Sequence, residues 1–68
     1  MIAVADAIDA DALRLRHEFL QVPGTRVSAA QAARLLAIST RHAQTILAAL
    51  EREQFLERVA TDEWRLKN

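Results

Sequence analysis

Ser28-Ala29-Ala30-Gln31-Ala32-Ala33-Arg34-Leu35-Leu36-Ala37-Ile38-Ser39-Thr40-Arg41 is the stretch on which the fold of this chain turns. Its opening, Ser28 to Gln31, has the form of a capping box: the Ser hydroxyl and the Gln amide each satisfy a backbone N–H left open at a helix start. The spacing predicts a helix from about Ala29 to Leu36, with Ala32, Leu35 and Leu36 turned inward. Ala37-Ile38 breaks the run, and Ser39 offers a second N-cap. A further helix is predicted from Thr40 to about Gln54, burying Ala43, Ile46, Leu47 and Leu50. Two helices joined by a short turn follow from local chemistry alone.

On the N-terminal side, Ile8, Ala12, Leu15, Phe19 and Val22 repeat at helical spacing and predict an earlier helix with one apolar face, widened by Leu13 and Leu20. Asp6, Asp9 and Asp11 suit its start through capping and the macrodipole. Pro23 stops it, and Gly24 can take the left-handed turn that follows. Residues 1–7 have no clear period and read as a frayed end or an extension ordered by a partner. Thr25-Arg26-Val27 has the composition of a small strand. On the C-terminal side, Phe55–Val59 and Trp64–Leu66 read as two short strands around a turn at Ala60–Glu63. With Thr61-Asp62 at the turn centre, Arg58 faces Arg65. Like charges so opposed are unfavourable, and either an anionic partner or a slip of register relieves them. Trp64, beside Val59, is expected as a lid on the core.

Composition bounds what such a chain can do. Its 68 residues make a single domain near the lower size limit for one self-sufficient core. Ala supplies 14 of its apolar residues, leaving too few large side chains for a sizeable ligand pocket as well. Cysteine is absent, which excludes disulfides, thiolate nucleophiles and cysteine-based zinc sites. His17 and His42 have no paired ligands for a metal, and no Ser/His/Asp set, glycine-rich loop or carboxylate pair points to catalysis. His17 is expected at the edge of the first helix. The expectation is a non-enzyme with no cofactor, no metal and no small-molecule substrate. No apolar run has membrane-spanning length, and the first ten residues lack the basic start of a secretory leader, so a cytoplasmic protein without a membrane partner is expected.

The net charge is zero, but its distribution is uneven. Residues 25–50 carry Arg26, Arg34 and Arg41 and no acid, whereas acids outnumber bases on both sides. The balance argues against strong indiscriminate polyanion binding, which needs a broad basic surface; it leaves room for a local basic face.

Two short helices with a tight turn, then a β-hairpin, is the element order of a winged helix-turn-helix. Gln31-Ala32-Ala33-Arg34-Leu35-Leu36-Ala37-Ile38-Ser39 resembles the helix-turn-helix pattern, with small Ala33 where the helices cross. Ile46-Leu47, Leu50 and Phe55-Leu56 resemble the winged-helix ending, in which the third helix runs straight into the wing. Over residues 17–66 the chain is also similar to a group of small bacterial winged-helix proteins. Glu18-Phe19-Leu20, Pro23-Gly24, Gln31 to Leu35, Ala49-Leu50 and Phe55-Leu56 carry that likeness. The resemblance implies a mainly α fold with a small β-hairpin wing, a three-helix winged helix-turn-helix. The chain departs from the pattern at Ala37 and Gln54, where Gly is usual, and at Ala43, which is smaller than the usual branched residue. A left-handed backbone at Gln54 would carry strain on the order of 1 kcal/mol.

What a winged helix-turn-helix module could do follows from its faces, and the expectation is sequence-selective binding of double-stranded DNA by a small transcriptional regulator. With its apolar ridge buried, the third helix presents Thr40, Arg41, Gln44, Thr45, Ala48 and Arg52 outward. Arg41 has the fork geometry for guanine O6/N7, Gln44 can pair with adenine N6/N7, and the Thr45 methyl can meet a thymine methyl. Arg34, Arg52, Arg58, Arg65 and Lys67 are candidate phosphate contacts. Ser28, Ser39, Thr40 and His42 sit at helix starts, where hydroxyls and open N–H groups suit phosphate. So few cations predict weak binding by one copy, hence a homodimer, through the first helix and the leader residues Ile2, Val4 and Ile8. The rival class is a winged-helix protein-interaction or dimerisation module that touches no DNA, favoured by the zero net charge and the acid-rich segment 51–63. A single-strand or RNA binder would need an aromatic platform that the chain lacks.

Overall fold

The computed structural model describes the backbone of residues 3–67 and the side chains of residues 10–67. The fold is mainly helical with a small antiparallel hairpin. Its elements are α1 (Ala3–Gln21), α2 (Ala29–Leu36), α3 (Thr40–Arg52), β1 (Leu56–Ala60) and β2 (Glu63–Leu66). α2 has the predicted limits, and α3 starts where Ser39 predicts and stops slightly before Gln54. α1 begins ahead of its first periodic residue and takes in residues 3–7, where three alanines favour helix whatever the apolar period. The side chains of Val4 and Ile8, like the whole of Ile2, lie outside the described residues.

Local chemistry sets the helix ends. Ser28 Oγ accepts the Gln31 N–H at 3.2 Å, and Gln31 Oε1 accepts the Ser28 N–H at 2.8 Å. Ser39 Oγ accepts the His42 N–H at 3.0 Å. The two C-terminal ends close in the same way. The Ile38 N–H donates to the Ala33 carbonyl and the Phe55 N–H to the Leu50 carbonyl, both at 3.0 Å. Such six-residue closures need a left-handed residue before the last donor, and Ala37 (φ 57°) and Gln54 (φ 70°) supply it. The two positions where glycine is usual therefore keep the glycine backbone with a Cβ attached. Both carry strain.

α2 and α3 approach closely because buried Ala29, Ala32, Ala33 and Ala43 leave room between their axes. Ile46, Leu47 and Leu50 fill the space beneath, α1 adds Leu15 and Phe19, and the hairpin adds Leu56 and Trp64. Trp64 is the predicted lid, only 3% exposed. Expected core residues also lie outside it. Leu35 is 51% exposed, Val22 58%, Leu13 63% and Leu20 56%. In α2 the buried residues are Ala29, Ala32, Ala33 and Leu36; Leu35 sits about 100° from Leu36 around the axis and turns out of that face. Among the described side chains of α1, only Leu15 and Phe19 are fully covered, so its apolar stripe is wider than the core beneath it.

The hairpin register differs from the simple reading. Ala60 pairs with Glu63, but an irregularity between Arg58 and Ala60 shifts the rest, so Arg58 faces Trp64 and Glu57 faces Arg65. The extra residue at Val59 replaces an opposition of like charges with an ion pair, Arg65 Nε to Glu57 Oε2 at 2.7 Å. The predicted strand at Thr25–Val27 reduces to one bridge: Val27 and Trp64 exchange both backbone hydrogen bonds at 2.9 Å. The segment that enters α2 is thereby stitched to β2.

Candidate nucleic-acid interface

The outward face of α3 is built by its inward one. Because Ala43, Ile46, Leu47 and Leu50 are buried, Arg41, Thr45, Ala48 and Arg52, spaced four, three and four apart, form the opposite stripe. Thr40, Arg41, Gln44, Thr45 and Arg52 are exposed, and Ala48 is partly covered. The Thr45 hydroxyl donates back to the Arg41 carbonyl at 3.2 Å, which commits its one donor and leaves its γ-methyl and the acceptor side of its oxygen open to a ligand. Gln44 lies on the flank toward the hairpin, where it lines a shallow depression with Ala48, Arg58, Thr61, Asp62 and Trp64.

Charge on the predicted site residues divides into two groups. Among the described residues, no carboxylate lies within ion-pair distance of Arg34, Arg41 or Arg52. The hairpin bases are engaged. Arg58 lies 3.6 Å from Glu51 and over the Trp64 ring, and Arg65 is held by Glu57. Lys67 donates to the Gln54 side-chain carbonyl. His42 is also occupied, its Nε2 lying 3.0 Å from Asp11 Oδ2, and Asp11 in turn meets Arg14 at 3.5 Å. His17, at the exposed edge of α1, meets Gln21 at 3.1 Å.

The helix starts also divide. At α2 the N–H groups of Ser28 and Gln31 are met by the capping box, and Asp62 Oδ1 accepts the Ala29 N–H at 3.3 Å. The hairpin turn thus lays a carboxylate where Ser28 was expected to receive a phosphate, and the tip is drawn in against α2. At the start of α3, Ser39 caps and Thr40 is exposed.

Three contacts that shape this surface escape a sequence reading: Asp11 with His42, Asp62 with the Ala29 N–H, and the Trp64 indole N–H with Glu51 Oε1 at 3.0 Å. Each joins residues far apart in sequence through side chains with no local spacing signal. The stripe on α3, by contrast, follows from periodicity.

Comparisons with known proteins add no relative. No protein-family model matches the chain, and neither a curated protein nor a solved structure matches it significantly. No described helix is long and apolar enough to cross a membrane. Among the described residues, no cluster of His, Asp and Glu is placed to hold a metal ion.

Proposed function

We propose that the chain is a winged helix-turn-helix module that binds double-stranded DNA sequence-selectively, as a small cytoplasmic transcriptional regulator of bacterial type. The observation that carries this reading is the exposed stripe on α3, whose two arginines, Arg41 and Arg52, have no carboxylate at ion-pair distance among the described residues. A helix with such a face fits a major groove about 12 Å wide. Arg41, Gln44 and Thr45 read bases, and Arg34, Thr40, Arg52 and Lys67 hold phosphates. Ser28 and Ser39 act first as caps. Arg58 and Arg65 reach phosphate only by releasing Glu51 and Glu57, and His42 only by releasing Asp11, so their share of the affinity is smaller.

The exposed Leu13 and Leu20, one heptad apart on α1, support a homodimer built on that helix. Two copies then address two half-sites about one helical turn apart. The same apolar surface favours the second reading, a protein-interaction module that leaves α3 unused.

One titration separates the two. Random-sequence duplex DNA is added at low salt while the amide signals of residues 39–48 are followed by NMR. Shifts confined to α3 and its cap support the DNA reading. Silence there, with self-association through α1, supports the rival.

A further inference from the structure

We propose that the face of α3 selects pyrimidines by their 5-methyl group, with Thr45 and Ala48 forming a methyl-bearing patch between Arg41 and Arg52. The inference rests on the DNA reading above and names the chemistry by which that surface discriminates.

Two features of α3 carry it. The Thr45 Oγ1–H is committed to the Arg41 carbonyl at 3.2 Å, so the side chain meets a base edge through its methyl and not through the donor that threonine otherwise offers. Ala48, next along the stripe, has no polar atom and no length to hold the helix away from a groove floor. Together they make an apolar step flanked by two guanidinium groups. From Arg41 to Arg52 the rise along the helix is about 16 Å at 1.5 Å per residue. In the major groove thymine differs from uracil only by the 5-methyl, since both present O4 as acceptor. A central hydroxyl whose donor is committed has nothing to offer O4, so the surface tells them apart by packing on that methyl. Burying one methyl corresponds to about a four-fold change in affinity.

The test uses the whole chain and leaves it unaltered in its first arm. Random duplex pools are prepared in parallel with thymine and with uracil in its place, and bound duplexes are sequenced. The selected duplex is then titrated in both forms with the parent and with Thr45→Ser, which keeps the hydroxyl and removes the methyl. The parent is expected to bind the thymine duplex about four-fold more tightly at one step, and Thr45→Ser to bind both forms at the parent's uracil level. Equal binding of the two forms by the parent, with a motif still selected, overturns the methyl inference and leaves DNA binding standing. So does a Thr45→Ser variant that keeps the full preference. Binding to neither pool removes the DNA reading and this inference with it.

Discussion

The indole N–H of Trp64 donates to Glu51 Oε1 across 3.0 Å, joining the last strand to the third helix at a point where the ring is almost wholly buried. Glu51 also faces Arg58 at 3.6 Å, and Arg58 covers the Trp64 ring. One carboxylate therefore holds both the hairpin's lid and its outer cation. Glu51→Ala removes the acceptor and leaves a buried donor unmet, a loss of about 1–3 kcal/mol. Glu51→Gln keeps an acceptor and loses less. Urea unfolding followed by the fluorescence of the only tryptophan measures both, and equal losses from the two variants would refute this role for the carboxylate.

The left-handed residues offer the opposite change. Ala37 and Gln54 each hold a conformation that costs a residue with a Cβ about 1–2 kcal/mol. Glycine removes that cost and gives back about 0.5–1 kcal/mol through its freer unfolded chain. Ala37→Gly is thus expected to stabilise the fold by about 0.5–1 kcal/mol, with Gln54→Gly doing the same less the contact from Lys67. Thermal unfolding decides this. A lower midpoint for Ala37→Gly would count against the strain.

The divided charges predict divided effects on DNA. Arg41→Ala is expected to lose about 1–3 kcal/mol and to relax selectivity at one base pair. Arg34→Ala should weaken all sequences alike and lower the salt slope by about one. Arg65→Ala should move the slope less, because Glu57 already meets that charge. The parent slope should correspond to about three to five phosphates per subunit. Binding isotherms at several salt concentrations test all four statements, and a slope change for Arg65→Ala as large as that for Arg34→Ala would show that the hairpin pairs open on DNA.

Much of the frame was legible in the order of residues because its causes are local. Ser28 with Gln31, Ser39, and the ridge Ala43-Ile46-Leu47-Leu50 each act within a turn or two of helix, and all stand where their spacing places them. The register of the hairpin was not legible: one extra residue at Val59 turns Arg58 from Arg65 to Trp64, and no local pattern announces such a bulge. Nor was the limited depth of the core. Periodicity marks Leu13, Leu20, Val22 and Leu35 as apolar, but what covers them depends on how much protein lies beneath each helix. The outward stripe of α3 was readable for the same reason as the ridge, whereas the partners of His42, Arg58 and Arg65 depend on tertiary placement.

Those uncovered side chains yield a prediction about assembly. Leu13→Glu with Leu20→Glu is expected to turn a dimer into a monomer in sedimentation equilibrium while changing the unfolding free energy of the monomer by no more than about 0.5 kcal/mol, as exposed substitutions do. Leu15→Ala, on the covered face of the same helix, should instead cost about 2–5 kcal/mol. A double variant that still pairs would move the dimer contact off α1.

The bridge between Val27 and Trp64 bears on how the protein is made. The three helices gather from neighbouring residues, and such contacts form early. The strand that seals them arrives only at the far side of the hairpin. A nascent chain halted before Trp64 holds the three helices with an open flank and an edge lacking its mate, so ribosomal synthesis must pass that tryptophan before the unit can shut.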